Sequence, residues 1–243
     1  MFTLFVKEIK GFLTSLIGYI VIIVFLLMTG LFLWVFPLEF NVLDFGFASL
    51  DGLFLLAPFV FLFLIPAITM RSFADEKKSG TIELLMTQPL TDLQVVLAKY
   101  FAGVVLVIIS LIPTLIYYFS VYQLGLPKGN LDSGSIWGSY IGLLLLGASF
   151  VSVGIFVSSL TDNQIVSFIL AVFISFLLYM GFEFIYTFVL SGKTGLIIQS
   201  LGLNAHYSSM SRGVIDTRDL VYFISVTVVF ILLTKVSLES RKW

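Results

Sequence analysis

The chain has 243 residues, of which 59% are hydrophobic and 11% are charged, with a net charge of −1, one histidine and no cysteine. A soluble domain of this length rarely exceeds half apolar residues, so the composition predicts a polytopic membrane protein. Without cysteine there is no disulfide framework or thiolate metal site. A histidine-based metal centre is poorly supported, because the chain has one histidine. A nucleic-acid interface is also poorly supported, because no basic patch with interleaved aromatics occurs.

Long charge-free windows predict six membrane-spanning helices, because about 20 helical residues cross ~30 Å of hydrocarbon. The windows cover residues 11–38, 52–70, 100–127, 133–161, 163 to about 190, and 220–234. The last window has only 15 residues and is extended by Lys235, whose stem can reach the interface. We therefore expect an all-α polytopic membrane protein with a single transmembrane domain over residues 1–243.

The distribution of basic residues predicts the orientation. Six spans place both termini on one side of the membrane. If the N-terminus is cytoplasmic, the inner segments hold nine Lys and Arg residues and the outer segments hold four. The positive-inside rule therefore predicts that both termini are cytoplasmic. The long outer loop at residues 191–218 weakens this prediction, since it holds three basic residues.

The first ten residues predict an amphipathic helix that lies in the cytoplasmic interface before the first span. Its apolar face is formed by Phe2, Phe5, Val6, Ile9 and Leu13. Three charged residues are expected off that face: Lys7, Glu8 and Lys10. The alternative is a frayed terminus.

Prolines and small residues occur inside the predicted spans. Pro58, Pro66 and Pro113 are tolerated there when neighbouring groups satisfy the carbonyls that lose a partner. The fourth span contains Gly138, Gly142, Gly147 and Gly154. These glycines predict close helix packing without identifying the packed partner.

The densest charge lies at residues 72–89, in the predicted cytoplasmic loop between spans two and three. Ser72 and Asp75 have capping-box spacing and predict a helix that starts just after Arg71. A break at Ser79-Gly80 separates it from a second short helix, capped by Thr81, with Glu83 in its first turn. Pro89 ends that helix, and a further capping box, Thr91 and Gln94, precedes the third span.

The second short helix presents an apolar edge: Ile82, Leu84, Leu85 and Met86. Two turns of apolar helix are unstable alone in water. The helix either docks into a groove on a soluble partner or packs on the underside of its own protein. Local physics alone does not separate these two interpretations.

The string EKKSGTIELLMTQPL, residues 76–90, resembles the signature of the ABC type-2 permeases. In that family the element is a coupling helix between spans two and three that inserts into a cleft of the ATPase subunit. The resemblance implies nine ATPase-coupling residues: Asp75, Glu76, Gly80, Thr81, Ile82, Glu83, Leu84, Leu85 and Pro89. It also implies that ATP is bound by a partner subunit and that this chain holds no cofactor. The six spans and the amphipathic N-terminal helix match the same family.

A closer resemblance is to the permease subunits of the gliding-motility ABC transporters of Bacteroidetes. It is carried by IGYIVIIVFLLMTGLFLWVF, LAPFVFLFLIPAITMRSFADEKKSGTIELL and SMSRGVIDTRDLVYF. It implies a bacterial inner-membrane protein with a GldA-like ATPase and a second permease copy or a GldG-like membrane partner. Two alternatives stay open: an exporter of lipid, polysaccharide or peptide unrelated to gliding, and a non-transporting anchor or force-transmitting component of a motility or secretion machine.

No catalytic constellation emerges from the remaining motifs. Ser191-Gly192-Lys193-Thr194 resembles the end of a P-loop, but the required preceding glycine is replaced by Thr187, so we interpret it as a turn. His206 is expected to be a surface or interfacial histidine.

Two outer features have a second interpretation. Glu183 is a candidate intramembrane polar group, although a position at headgroup level is favoured. Residues 191–218 form an outer loop that is a candidate re-entrant segment, and Asp216 near its end is a predicted cap for the sixth span.

Overall fold

The computed structural model of the chain describes residues 1–44, 46–188 and 193–240, and every regular element in these ranges is helical. The α-helices, in chain order, are α1 Phe2–Leu13, α2 Leu16–Trp34, α3 Asp51–Thr69, α4 Ala74–Lys78, α5 Thr81–Met86, α6 Asp92–Leu111, α7 Leu115–Leu124, α8 Ser133–Leu160, α9 Gln164–Phe176, α10 Phe182–Phe188, α11 Lys193–Gln199, α12 Leu203–Ser211 and α13 Thr217–Glu239. A 3₁₀ turn at Ile112–Thr114 joins α6 to α7, and a π-helical turn at Leu177–Gly181 joins α9 to α10.

Six helical stretches of the described chain are long and apolar enough to cross a membrane. They are Leu16–Trp34, Asp51–Lys78, Asp92–Leu124, Ser133–Leu160, Gln164–Phe188 and Thr217–Glu239. The predicted all-α class and the six predicted spans are therefore confirmed. Two predictions, the end of the fifth span near Leu190 and the turn at Ser191-Gly192, lie outside the described residues.

Capping residues set the starts of the third and sixth spans. α6 begins at Asp92, well before the predicted window, because Thr91 Oγ1 accepts from Gln94 N at 3.3 Å and Gln94 Oε1 accepts from Thr91 N at 3.1 Å. α13 begins at Thr217, where Asp216 Oδ1 accepts from the Arg218 amide at 2.9 Å. Both predicted caps are confirmed, and the sixth span is longer than its charge-free window.

Helix α8 forms the centre of the bundle and packs against α3, α6, α9, α12 and α13. Its glycines make these approaches close. A Cβ on Gly154 would lie 1.9 Å from Thr69 Oγ1 on α3, and a Cβ on Gly147 would lie 2.8 Å from a Val107 methyl on α6. The predicted close packing is therefore present, and its partners are α3 and α6 as well as α12.

Pro58 in α3 has no N–H to donate to the carbonyl of Phe54, four residues earlier. The hydroxyl of Tyr207 on α12 donates to that carbonyl at 2.7 Å instead. Burial and, to a smaller extent, the electrostatic effect of Tyr179 raise the pKa of the Tyr207 hydroxyl well above its ordinary value. The hydroxyl therefore keeps its proton and can donate it to the carbonyl. A neighbouring helix thus satisfies the carbonyl that the proline leaves free.

The N-terminal helix α1 packs against α6 and α2, with Leu4 buried on the packed face. Phe2, on the predicted apolar face, is 74% exposed. Glu8 lies off that face as predicted, one turn after Leu4 on the packed side, where it pairs with Lys99. A position of the helix in the membrane interface stays a prediction. The apolar periodicity located the helix, but a buried lysine on α6 determines which face packs.

At the other end of the bundle, α12 packs against α8 beside Gly138 and Gly142. His206 on α12 is 16% exposed at its side chain, so it is not a fully exposed surface residue, and a position at the membrane interface stays a prediction. Its Nδ1 lies 2.6 Å from Asp219 Oδ1, its Nε2 lies 2.9 Å from the Ser200 carbonyl oxygen, and its ring stacks on Tyr222. These contacts join α12 to α13.

Candidate functional site

The charged segment at residues 72–89 folds as two short helices, α4 and α5, which meet at Gly80. Gly80 has φ of 71°, a left-handed conformation that glycine adopts without a steric penalty. Because Gly80 occupies the position before α5, Thr81 is the first helical residue and not the cap, which corrects the prediction. Its hydroxyl instead lies 2.9 Å from Ser79 Oγ. Glu83 lies in the first turn of α5 as predicted.

Helix α4 is capped from a distant part of the chain. The predicted Ser72 cap is wrong, because α4 starts at Ala74 after Phe73. The buried Oγ of Ser158, at the end of α8, accepts from the amides of Phe73 and Ala74 at 3.0 and 3.1 Å. The same hydroxyl donates to the Met70 carbonyl at 3.1 Å. Ser158 therefore satisfies amides that a helix start leaves free and holds the α3–α4 turn against α8.

A buried cation joins three elements at this end of the bundle. Lys99 of α6 has a side chain that is only 1% exposed. Its Nζ lies 2.9 Å from Glu8 Oε1 on α1 and 2.8 Å from Glu76 Oε1 on α4, and it donates to the Ser72 carbonyl at 2.7 Å. The Phe73 ring centroid is 5.0 Å away. All three ammonium protons thus have an acceptor, which is the condition for burying a charge.

Two further side chains of α4 bind neighbouring helices. Lys77 donates to the Ser159 carbonyl on α8, and Asp75 accepts from the side-chain amide of Gln164 on α9. The Ser159 carbonyl also accepts from Ser237 Oγ on α13 at 3.2 Å. Helix α4 is therefore bonded to several helices of the bundle, and a displacement of α4 would act on all of them.

Helix α5 differs, because part of it projects away from the bundle. Leu84 is 67% exposed and Glu83 is exposed, whereas Ile82 and Leu85 are half-buried against the core. The prediction for Met86 lies outside the described side chains. One side of the apolar edge therefore packs on the protein, as the second interpretation predicts, and the other side is open, while docking to a soluble partner stays a prediction.

A groove of about 430 Å³ separates α5 from the N-terminal half of α1. It is lined by Thr3, Leu4, Lys7, Glu76, Thr81, Leu84, Leu85, Gln88 and Leu90. The lining combines four leucines with one cation and one carboxylate, so the groove suits a partner segment with an apolar side chain and polar flanks.

The structure divides the nine predicted coupling residues into three groups. Asp75 and Glu76 face inward and bind other helices, and Gly80 and Thr81 lie at the junction of α4 and α5. The remaining five are Ile82 and Leu85, which are half-buried, and Glu83, Leu84 and Pro89, which are exposed. Glu183 is not brought to this site. It lies on α10 near the opposite end of the bundle, where its Oε2 accepts from the Asn204 side-chain amide.

Sequence reasoning missed three residues of the site: Lys99, Glu8 and Ser158. One of them carried a usable signal. Lys99 is a lone cation beside a long apolar run, and a cation there is expected to pair inside the bundle or to reach the interface. Glu8 and Ser158 gave no local signal.

Comparison with known proteins supports the architecture. The sequence model of the ABC-2 family transporter proteins matches residues 44–234, most of the chain. The match includes α4, α5, the second to fifth spans and most of the sixth. A search of curated proteins gave no match. The chain belongs to the ABC-2 family of transporters and is a multi-pass membrane permease subunit.

Proposed function

We propose that this permease couples ATP hydrolysis by a separate ATPase subunit to export, or to mechanical work, at a bacterial inner membrane. The observation that carries the proposal is the construction of the α4–α5 segment. Its outer part exposes an apolar and acidic surface, and its inner part is bonded to the membrane helices through Lys99 and Ser158. A segment of this kind can receive a displacement and pass it on.

The ATPase is proposed to contact the exposed side of α5 and the adjoining groove. Leu84 supplies an apolar anchor and Glu83 a charge that fixes register, which together favour a specific contact. Helix α1 borders the same groove, so one ATPase segment would contact α1 and α5 together.

Transmission is proposed to run through Lys99. A movement of α4 displaces Glu76, which is paired with Lys99 on α6, and Lys99 is paired in turn with Glu8 on α1. Because Ser158 holds α4 to α8, the fourth span moves with the second and third. Packed helices respond to such movements as discrete shifts, which suits an alternating mechanism.

The finer assignment follows the gliding-motility resemblance. We propose a GldF-like permease with both termini cytoplasmic, a GldA-like ATPase, and a second permease copy or a GldG-like membrane partner. In this orientation α4 and α5 face the cytoplasm, where an ATPase is available. The excess of basic residues on that side supports the orientation.

Charge reversal at Glu83 tests the ATPase contact. The tagged chain is purified from detergent-solubilised membranes of its own organism, and co-purifying ABC ATPase subunits are quantified by mass spectrometry. Glu83→Arg is expected to reduce the ATPase yield, while the permease still elutes as a single folded species. Asp44→Arg, an exposed charge reversal outside α4 and α5, is the matched control and should retain the ATPase. An unchanged ATPase yield for Glu83→Arg would show that the ATPase contact does not lie at Glu83.

Reconstitution separates export from mechanical work. In proteoliposomes that contain the full complex, ATP-dependent solute movement supports transport. Sustained ATP hydrolysis without a translocated species supports a force-transmitting component.

A further inference from the structure

A cavity of about 640 Å³ lies at the end of the bundle opposite α4 and α5, between α3, α8, α12 and the π-helical turn. A smaller cavity of about 200 Å³ adjoins it. The two share four lining residues: Tyr179, Asn204, Ser208 and Arg212. The coupling mechanism uses none of these residues.

Tyr179 is the feature that points to a ligand. It is 4% exposed, and its ring makes edge contacts with Phe59 at 6.0 Å and Phe150 at 6.2 Å. Among the described residues, none forms a hydrogen bond with its hydroxyl. Tyr179 lines both cavities and its hydroxyl is not among the fully buried unpartnered atoms, so the hydroxyl is accessible from the cavity and can donate to a molecule bound there. It also lies in a π-helical turn, a distortion that is frequent at functional sites.

The two cavities are lined by charged side chains of both signs, which do not form ion pairs with one another in the described ranges. Arg212 donates through Nε to the Ser208 carbonyl at 3.2 Å, and no carboxylate in the described ranges forms an ion pair with it. Asp51 and Asp132 line the larger cavity, and Glu183 lines the smaller one. One guanidinium with no ion pair in the described ranges and three carboxylates at one site are complementary to a molecule that carries both an anion and an ammonium group.

The wall of the larger cavity is apolar towards the surface of the bundle. Leu55 is 58% exposed and Phe59 is 42% exposed, and both lie on the spanning helix α3. The polar groups Ser135, Ser139 and Asn204 lie on the other side. A ligand that fills this space has a polar head and an apolar body.

We propose that this cavity binds the headgroup of a zwitterionic phospholipid of the phosphoethanolamine type. Arg212 and the Tyr179 hydroxyl bind the phosphate, the cavity carboxylates accept from the ammonium group, and the acyl chains leave past Leu55 and Phe59. A membrane protein meets such lipids at high local concentration, so even a modest affinity fills the site. The site does not depend on the proposed ATPase coupling.

Lipid retention by the full-length chain tests the proposal. The chain is purified in detergent, delipidated, and exposed separately to phosphatidylethanolamine, phosphatidylcholine and phosphatidylglycerol. Retained lipid is counted by native mass spectrometry. Phosphatidylethanolamine should be preferred, because phosphatidylcholine has no ammonium N–H and phosphatidylglycerol has no cation. Competition by soluble glycerophosphoethanolamine would show recognition of the headgroup itself, and retention unaffected by it would show that the acyl chains are required as well.

Two variants and a control make the test specific. Arg212→Gln and Tyr179→Phe should each lower phosphatidylethanolamine retention about tenfold, the effect expected for losing a hydrogen bond to a charged group. Arg218→Gln removes an exposed arginine that does not line either cavity and should leave retention unchanged. Tyr179→Phe preserves the ring packing, so it remains informative if Arg212→Gln does not fold. Equal retention of the three lipids, or wild-type retention by Tyr179→Phe, overturns the proposal.

Discussion

Lys99 Nζ lies 2.8 Å from Glu76 Oε1. Among the described residues, Lys99 is the one cation that pairs with this carboxylate, and the pair lies inside the protein. Glu76 Oε2 has no hydrogen-bond partner among the described residues. Glu8 is the second carboxylate at the same ammonium group, 2.9 Å away. The position of α4 relative to the membrane helices therefore depends strongly on one lysine, and loss of that lysine would leave two carboxylates facing each other.

Lys99→Met is predicted to destabilise the protein by about 3–5 kcal/mol, because removing one partner leaves buried charges uncompensated. Thermal unfolding of the detergent-solubilised protein measures the effect. Lys235→Met is the control, since Lys235 and Glu239 form an exposed pair, and such pairs contribute about 0–1 kcal/mol. A triple variant with Lys99→Met, Glu8→Gln and Glu76→Gln should recover part of the lost stability. Equal effects of Lys99→Met and Lys235→Met would refute the buried triad.

Ser158→Ala is predicted to loosen α4 while the spans remain folded. The substitution removes the acceptor for two amides at the start of α4, and loss of a cap costs about 0.5–2 kcal/mol. Hydrogen–deuterium exchange should become faster at residues 73–78 and remain unchanged in the middle of α8. Ser225→Ala is the control, because Ser225 is exposed and its hydroxyl donates only to the Val221 carbonyl of its own helix. Unchanged exchange at residues 73–78 would show that Ser158 is not the cap.

The spans were predictable because each depends on a local property, the length of an apolar run between charges. The caps at Thr91 and Asp216 were predictable for the same reason, since their partners lie within three residues. The cap of α4 was not, because Ser158 is 85 residues from Phe73 in the sequence. A local capping pattern at Ser72 was present and was overridden by this tertiary contact.

The candidate site shows the same division. The position of the coupling segment, the turn at Gly80 and the exposure of Glu83 follow from local residue types. The inward role of Glu76 does not, because it depends on Lys99 and Glu8, which are 91 residues apart in the sequence. Single-sequence reasoning found the charges of this segment but not their partners.

Tyr207→Phe is predicted to destabilise the protein by about 1–3 kcal/mol, because it leaves the buried Phe54 carbonyl without a donor. The effect should depend on Pro58. In a Pro58→Ala background the new amide N–H can donate to the Phe54 carbonyl, so Tyr207→Phe should cost less there than in the wild-type chain. A double-mutant cycle from thermal unfolding measures this coupling. Additive effects would show that Tyr207 does not compensate for the proline.

Gly154→Ala is predicted to destabilise the bundle by about 1–3 kcal/mol, as expected for overpacking in a well-packed interior. The added methyl would lie 1.9 Å from Thr69 Oγ1 and 2.8 Å from Thr69 Cβ, and Thr69 cannot easily turn away. It is buried and β-branched, and its hydroxyl donates to the Ile65 carbonyl at 2.9 Å. Thermal unfolding measures the loss.

Gly11→Ala is the matched control for this substitution. Gly11 also lies within a helix, but nothing comes within 4 Å of the added Cβ, so the higher helix propensity of alanine should leave stability equal or slightly greater. The pair separates contact from propensity, because both variants make the same chemical change in a helix. If the two variants unfolded at the same temperature, α3 and α8 would have to lie further apart at Gly154 than the structure places them. That result would also weaken the inference that movements of α4 are passed to the spanning helices, because Thr69 lies at the end of α3 that leads into α4.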